Sequence, residues 1–128
     1  MENLFIANTF AHSSPQVSLN ADTGDCEILG ESYMESADKY YQVVIDWVNE
    51  YVISDKTHIK FDFRLNYFNT NSSRCILEIF LILREFEKNG GEVIINWYCK
   101  KFDTDMVEEV EDFSLDSGLK IHLIPIEA

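Results

Sequence analysis

In KFDFRLNYFNTNSSRCILEIFLILREFEKNGGEVIINWY, residues 60–98, the hydrophobic period changes twice. Phe61, Phe63, Leu65 and Tyr67 alternate with Lys60, Asp62, Arg64 and Asn66, the period of a strand buried on one face. NTNSS at 69–73 then offers several side chains able to cap a helix. RCILEIFLILREFEKN follows as that helix, and Gly90 and Gly91 end it. EVIINWY at 92–98 is β-branched and aromatic and reads as a second strand, with Val93, Ile95 and Trp97 on one face.

The same reading extends in both directions. From Ala37, the apolar positions Tyr40, Tyr41, Val44, Trp47, Val48 and Tyr51 follow the rhythm of an amphipathic helix, with Ser36 as its N-cap. Before it, PQVSLN and DCEILG flank a turn containing Asp22 and Gly24, which predicts a β-hairpin over residues 15–29. A short strand at Leu4–Ile6 precedes the hairpin. Downstream, DTDMVEEVEDF spaces Met106, Val107, Val110 and Phe113 as a third helix capped by Asp103 or Thr104. Ser117 and Gly118 mark its end, before a final strand at Leu119–Ile124. Right-handed crossovers then make the later strands parallel. The expected fold is α/β, a single mixed sheet with an N-terminal hairpin and helices mainly on one face. The other face is left to solvent, to a partner or to a second copy in a homodimer. No repeat or linker appears, so residues 1–128 read as one domain.

Composition narrows the function. A chain of 128 residues and 14.9 kDa, 46% hydrophobic and 26% charged, suits one folded domain rather than a disordered segment. Against 10 Lys and Arg stand 23 Asp and Glu, a formal charge of −13, which is the wrong sign for nucleic acid or an anionic membrane. The most apolar run, CILEIFLIL at 75–83, contains Glu78 and is too short to span a bilayer. MENLFIANTF has no secretory pattern, so the cytoplasm is the expected location.

Cys26, Cys75 and Cys99 form no CxxC pair and read as reduced thiols. The glycines fit neither a P-loop nor a dinucleotide fingerprint. His12, His58 and His122 are scattered and read as surface or strand histidines, and no GxSxG elbow is present. No catalytic, cofactor-binding or metal-binding residue is assigned. Six of the ten residues from Asp103 to Asp112 are carboxylates. They read as a solvated helix face, with a small metal-dependent enzyme as the alternative.

The segment that carries a signal is NTNSS. Structurally, one of Asn69, Thr70, Asn71 or Ser72 caps the following helix. Functionally, a hydroxyl at this point sits where free N–H groups and the positive end of the helix dipole accommodate a phosphate without unfolding the domain. Such a phosphate concentrates about −1.5 to −2 charges on one spot and bars a close apolar or acidic partner. The helix beyond it is apolar over most of its circumference. Leu77 and Leu81 extend past the stripe a core needs, either under a neighbouring helix or at a partner site.

Three segments in order resemble the SiaC family of bacterial regulatory phosphoproteins: GESYMESADKYYQVVIDWVNEY at 30–51, FRLNYFNTNSS at 63–73 and GEVIINWYCKKFDTDMVEEVEDF at 91–113. The resemblance implies a STAS-like fold, that of anti-sigma factor antagonists. It implies that the threonine of an N-T-x-S motif, here Thr70 in Asn69-Thr70-Asn71-Ser72, is phosphorylated by a dedicated Ser/Thr kinase and dephosphorylated by a PP2C-type phosphatase. It implies further that the unmodified form, itself no enzyme, binds and activates a diguanylate cyclase in cyclic di-GMP signalling. The expected partner surface is Asn69, Asn71, Ser72, Ser73 and Arg74, with Leu77 and Leu81 on the helix that follows. An anti-sigma factor antagonist binding a kinase-type anti-sigma factor is the alternative within the same fold.

Overall fold

The computed structural model describes residues 1–7 and 13–127; His12 lies outside them. The elements run β1 (Leu4–Ile6), β2 (Gln16–Leu19), β3 (Asp25–Ser32), α1 (Ala37–Ile53), β4 (His58–Phe68), α2 (Thr70–Lys88), β5 (Glu92–Lys100), α3 (Thr104–Ser117) and β6 (His122–Ile126). All six strands form one mixed α/β sheet in the order β1-β2-β3-β4-β5-β6. The first three pair antiparallel, with Val17 opposite Ile28, and β3 to β6 pair parallel.

Successive parallel strands are added on the same side, so right-handed crossovers place α1, α2 and α3 on one face. Helix α2 lies between α1 and α3. Under the helices, Ile28, Phe61, Phe63, Ile95 and Trp97 are fully buried. Phe63 stacks on Trp97 at 4.8 Å between ring centroids, and Phe80 from α2 meets Phe63 edge-on at 5.2 Å. The opposite face carries Lys60, Asp62, Arg64 and Asn96. There Arg64 pairs with Glu27 at 2.9 Å and lies 3.7 Å above the Tyr98 ring.

Glycine is required in the hairpin turn. Asn20 Oδ1 accepts from the N–H groups of Asp22 and Thr23, and Gly24 follows with φ +78°. A Cβ at Gly24 would stand 2.6 Å from the Tyr51 hydroxyl and 2.8 Å from the His58 carbonyl oxygen. Those two atoms are already joined by a 2.5 Å hydrogen bond that fixes the end of α1 to the start of β4.

Four local expectations are corrected. Ser36 occupies the N-cap of α1 but makes no side-chain cap; its carbonyl accepts from Lys39 and Tyr40. Tyr67 does not continue the buried row of β4. The pairing with β3 shifts after Gly30, so Leu65 lies opposite Gly30 and Tyr67 opposite Glu31, leaving Asn66 as an extra residue. That extra residue reverses the parity, exposing Tyr67 and turning Phe68 towards Trp97 and Phe113. The last strand is His122–Ile126 rather than Leu119–Ile124. Leu119 is instead buried in the C-cap of α3, where its carbonyl accepts from Ser114 Oγ and its N–H donates to Ser117 Oγ. Helix α2 begins at Thr70 rather than at Arg74, because Asn69, the first of the candidate caps, is the one used, and Thr70–Ser73 form its first turn. Asp103 is the side-chain cap of α3, accepting from Met106 N–H at 3.1 Å. His58 and His122 both open strands and are exposed.

Burial pushes the Cys26 thiol up to about 12 and the Tyr40 phenol up to about 12. Both groups hold their protons more tightly in the folded chain than unfolded, where they titrate near 9.0 and 10.0. Their contribution to stability is therefore complete below about pH 9 and is lost as pH rises towards 12. The urea midpoint is expected to fall steadily over that alkaline window, which denaturation curves read by tryptophan fluorescence will check.

Candidate functional site

The strand that ends at Phe68 passes into α2 through one residue. Asn69 is extended (φ −89°, ψ 176°) and its Oδ1 accepts from the Ser72 N–H at 2.9 Å, satisfying one of the free donors of the first turn. Its backbone N–H donates to the Ser32 carbonyl at 2.9 Å, and Nδ2 reaches the Met34 carbonyl at 3.4 Å. The amide thus ties the start of α2 to the end of β3. Asn69→Ala is expected to cost about 1 kcal/mol, and Asn69→Asp, which keeps the acceptor and loses the Nδ2 donor, less. Thermal unfolding of the two variants measures the difference.

The first turn divides its hydroxyls. Thr70 and Asn71 are exposed. Ser73 is half-buried, and its hydroxyl donates to the Thr70 carbonyl at 2.8 Å. Ser72 points inward and is fully buried together with Ser32 and Tyr41. Ser32 Oγ donates to Ser72 Oγ at 2.8 Å and lies 2.8 Å from the Tyr41 hydroxyl. A serine hydroxyl has one proton, so Tyr41 must be the donor to Ser32. This buried chain joins β3, α1 and α2, and it fixes which way the first turn faces.

Two cavities flank the turn. One, of about 430 Å³, is lined by Asp38, Asn71, Arg74, Cys75 and Glu78. The Arg74 guanidinium donates to Asn71 Oδ1 there. Burial, reinforced by the Glu78 and Asp38 carboxylates, raises the Cys75 pKa, which keeps the thiol protonated and a poor nucleophile at neutral pH. The other, of about 270 Å³, lies between the end of β4 and the start of α3, with Tyr67, Phe68, Met106 and the carboxylates of Asp103, Asp105 and Glu109 on its walls. In the acidic run, Asp105, Glu108, Glu109, Glu111 and Asp112 face solvent while Asp103 caps α3. Among the described residues, no three His, Cys, Asp or Glu side chains are placed to share a cation.

Of the residues expected at a partner surface, Asn69, Asn71, Ser73 and Arg74 surround Thr70, whereas Ser72 is corrected: it is fully buried against Ser32 and offers a partner nothing. Leu77 packs against the core as a half-buried side chain. Leu81 is 48% exposed, and at 1.5 Å per residue it lies about 16 Å along α2 from Thr70. Aromatic groups at the C-terminal ends of β3, β4 and β5 add what periodicity had not suggested. Tyr33 and Tyr67 are exposed and meet edge-on at 5.8 Å. Phe102, in the loop after β5, is 96% exposed with φ +68°. The GESY segment before α1 gives Tyr33 a weak signal; nothing in the pattern of KKFD marks Phe102.

Among the described residues, no helix is long and apolar enough to cross a membrane. Structural comparison finds SiaC of Pseudomonas aeruginosa at 25% identity, covering 98% of this chain and 100% of that one, with a TM-score of 0.89. The apo form of SiaC from the same organism matches at 26% identity over the full length of both chains, with a TM-score of 0.86. A third match, at 25% identity and TM-score 0.88 over 96% of this chain and 99% of that chain, comes from a structure of the diguanylate cyclase SiaD in complex with its activator SiaC, also from Pseudomonas aeruginosa. A protein of Pseudomonas aeruginosa strain UCBPP-PA14 with no assigned function is 28% identical over 116 residues, 91% of this chain and 90% of that protein. The model of the SiaC family regulatory phosphoproteins matches residues 8–126. With its mixed sheet and three one-sided helices, the chain belongs to the SiaC family of regulatory phosphoproteins.

Proposed function

We propose that this chain is a non-catalytic, single-domain cytoplasmic activator of a diguanylate cyclase, switched off by phosphorylation of Thr70. The observation that carries the reading is the sorting of hydroxyls in the first turn of α2. Ser72 is buried in a hydrogen-bonded chain, Ser73 is occupied by the Thr70 carbonyl, and Thr70 stands exposed at the first helical position. A kinase can reach Thr70 without opening the core. The phosphate then lies against the positive end of the helix dipole, so the modified chain stays folded. What changes is the surface: a dianion appears among Asn69, Asn71, Ser73 and Arg74, where a partner would have to desolvate it.

The description of the SiaC relative as activator of a diguanylate cyclase supports the partner class, and the family description supports phosphorylation as the control. A dedicated Ser/Thr kinase adds the phosphate and a PP2C-type phosphatase removes it. Phosphopeptide mass spectrometry of the protein purified from its own cells, read on FNTNSSR at 68–74, tests the assignment. Phosphate on Thr70 is the expected result. Full coverage of that peptide without phosphate across growth conditions, or phosphate on Ser72 or Ser73 instead, would refute it.

A further inference from the structure

The described residues hold one apolar groove that the Thr70 surface does not include. It runs between the C-terminal half of α1 and the C-terminal two-thirds of α2 and encloses about 460 Å³. Its more buried lining is Val52 from α1 with Ile82 and Phe86 from α2, and Ile53 and Leu81 stand exposed along it. Ile53 is 84% exposed and Leu81 48%, an unusual pair of large apolar side chains to leave in water on adjacent helices. The rim of α2 is Glu78 and Glu85, and the remaining polar lining consists of asparagines, with no Lys or Arg. Neither glutamate is ion-paired among the described residues; the neighbouring cation Arg84 is held by Glu87 at 2.6 Å.

We infer that this groove docks an amphipathic helix of a partner protein whose apolar stripe is bordered by Lys or Arg. Two parallel helices leave between them a furrow that a third helix fills by ridges-into-grooves packing. The lining positions run from Glu78 on α2 to its C-cap Asn89 at helical spacing, a length of about 16 Å or three turns. The acidic rim selects a basic border. It also argues against a second copy of this chain, whose net charge of −13 would set carboxylate against carboxylate. Leu81 and Thr70 are about 16 Å apart along α2, beyond the Debye length of roughly 8 Å at physiological salt. The groove therefore stays open whether or not Thr70 carries a phosphate, and the inference does not depend on Thr70 being the switch.

The test is titration of ¹⁵N-labelled protein with a synthetic amphipathic Leu/Lys helix of 18 residues. A scrambled peptide of the same composition and a Leu/Glu version of the same pattern serve as comparators. Expected are saturable amide shifts centred on Val52, Ile53, Leu81 and Ile82. Affinity should be at least tenfold above both comparators and fall at least tenfold in the double variant Ile53→Lys, Leu81→Lys. Both side chains are exposed, so the variant keeps its fold, which its own dispersed spectrum verifies. Thr70→Ala and Thr70→Glu should bind the probe equally. The docking site is overturned if shifts spread over the whole acidic surface, if a comparator binds as well, or if the double variant is unaffected. Loss of probe binding in Thr70→Glu alone would overturn its independence of the switch. Indifference of a cyclase to Thr70, by contrast, would leave the groove untouched.

Discussion

On the proposed function, a chain phosphorylated at Thr70 is expected to bind a cognate diguanylate cyclase at least tenfold, and up to a hundredfold, more weakly than the unmodified chain, a loss of about 1.4–2.8 kcal/mol. Thr70→Ala should bind as the unmodified chain does. Thr70→Glu should fall between, because a carboxylate brings one charge where a phosphate brings nearly two. Thr70 is exposed and contributes nothing to the core, so none of the three changes should lower the melting temperature. The phosphorylated form should be slightly more stable, by about 0.3–1 kcal/mol, because an anion at the first turn favours the helix dipole. Loss of binding with unchanged or raised stability is the signature of a surface switch; loss of both would mean that the phosphate damages the fold. Calorimetric titration of the purified cyclase, paired with thermal unfolding of each form, reads the two quantities independently. Equal affinity for all forms would sink the switch.

The second large effect lies in the core. Trp97 is fully buried, stacked on Phe63 at 4.8 Å and within 5.7 Å of both Phe68 and Phe113, so it joins β4, β5 and α3. Trp97→Ala should cost about 3–5 kcal/mol, a large share of the stability of a domain this size. Its indole Nε1 is buried without a hydrogen-bond partner among the described residues. Trp97→Phe therefore removes an unsatisfied donor along with some packing, and the first change offsets part of the second. It should cost under about 2 kcal/mol, while Ile94→Ala on the open face should stay below about 1 kcal/mol. Urea unfolding of the three variants gives the order. Equal losses for Trp97→Phe and Trp97→Ala would show that the indole N–H is satisfied after all.

What could be read from the residues was whatever repeats with a fixed period. The alternation from Lys60 to Leu65 and the apolar rhythm of α1 and α2 each need only local sterics and one buried face, so sheet and helices were legible. The same rule failed at Tyr67, because parity depends on an unpaired residue in β4 that only the partner strand reveals. It failed again at Leu119, which satisfies apolar burial in a helix cap as well as it would in a strand. The NTNSS segment showed that a cap was present but left its bearer open. Asn69 takes that role because its side-chain amide can serve Met34, just beyond β3, and the first turn of α2 at once, a tertiary requirement. Leu77 and Leu81, one turn apart in the sequence, divide between core and groove according to where α1 ends.

Strand order equal to chain order also bears on how the molecule is made. Every strand pairs with the one before it, so the partner that each new segment needs has already left the ribosome. No early strand waits with its edge open for a distant one. Each parallel pairing closes a loop of one crossover, as between Asp25 and Lys60, so the antiparallel hairpin is the quicker pairing to form and the parallel ones follow. Assembly can proceed from the amino end as synthesis continues. The hairpin serves as the template and α2 is laid down on a half-built sheet. Ser32, Tyr41 and Ser72 all precede β5, so the buried hydroxyl chain that orients the first turn of α2 draws only on residues synthesised before the last two strands.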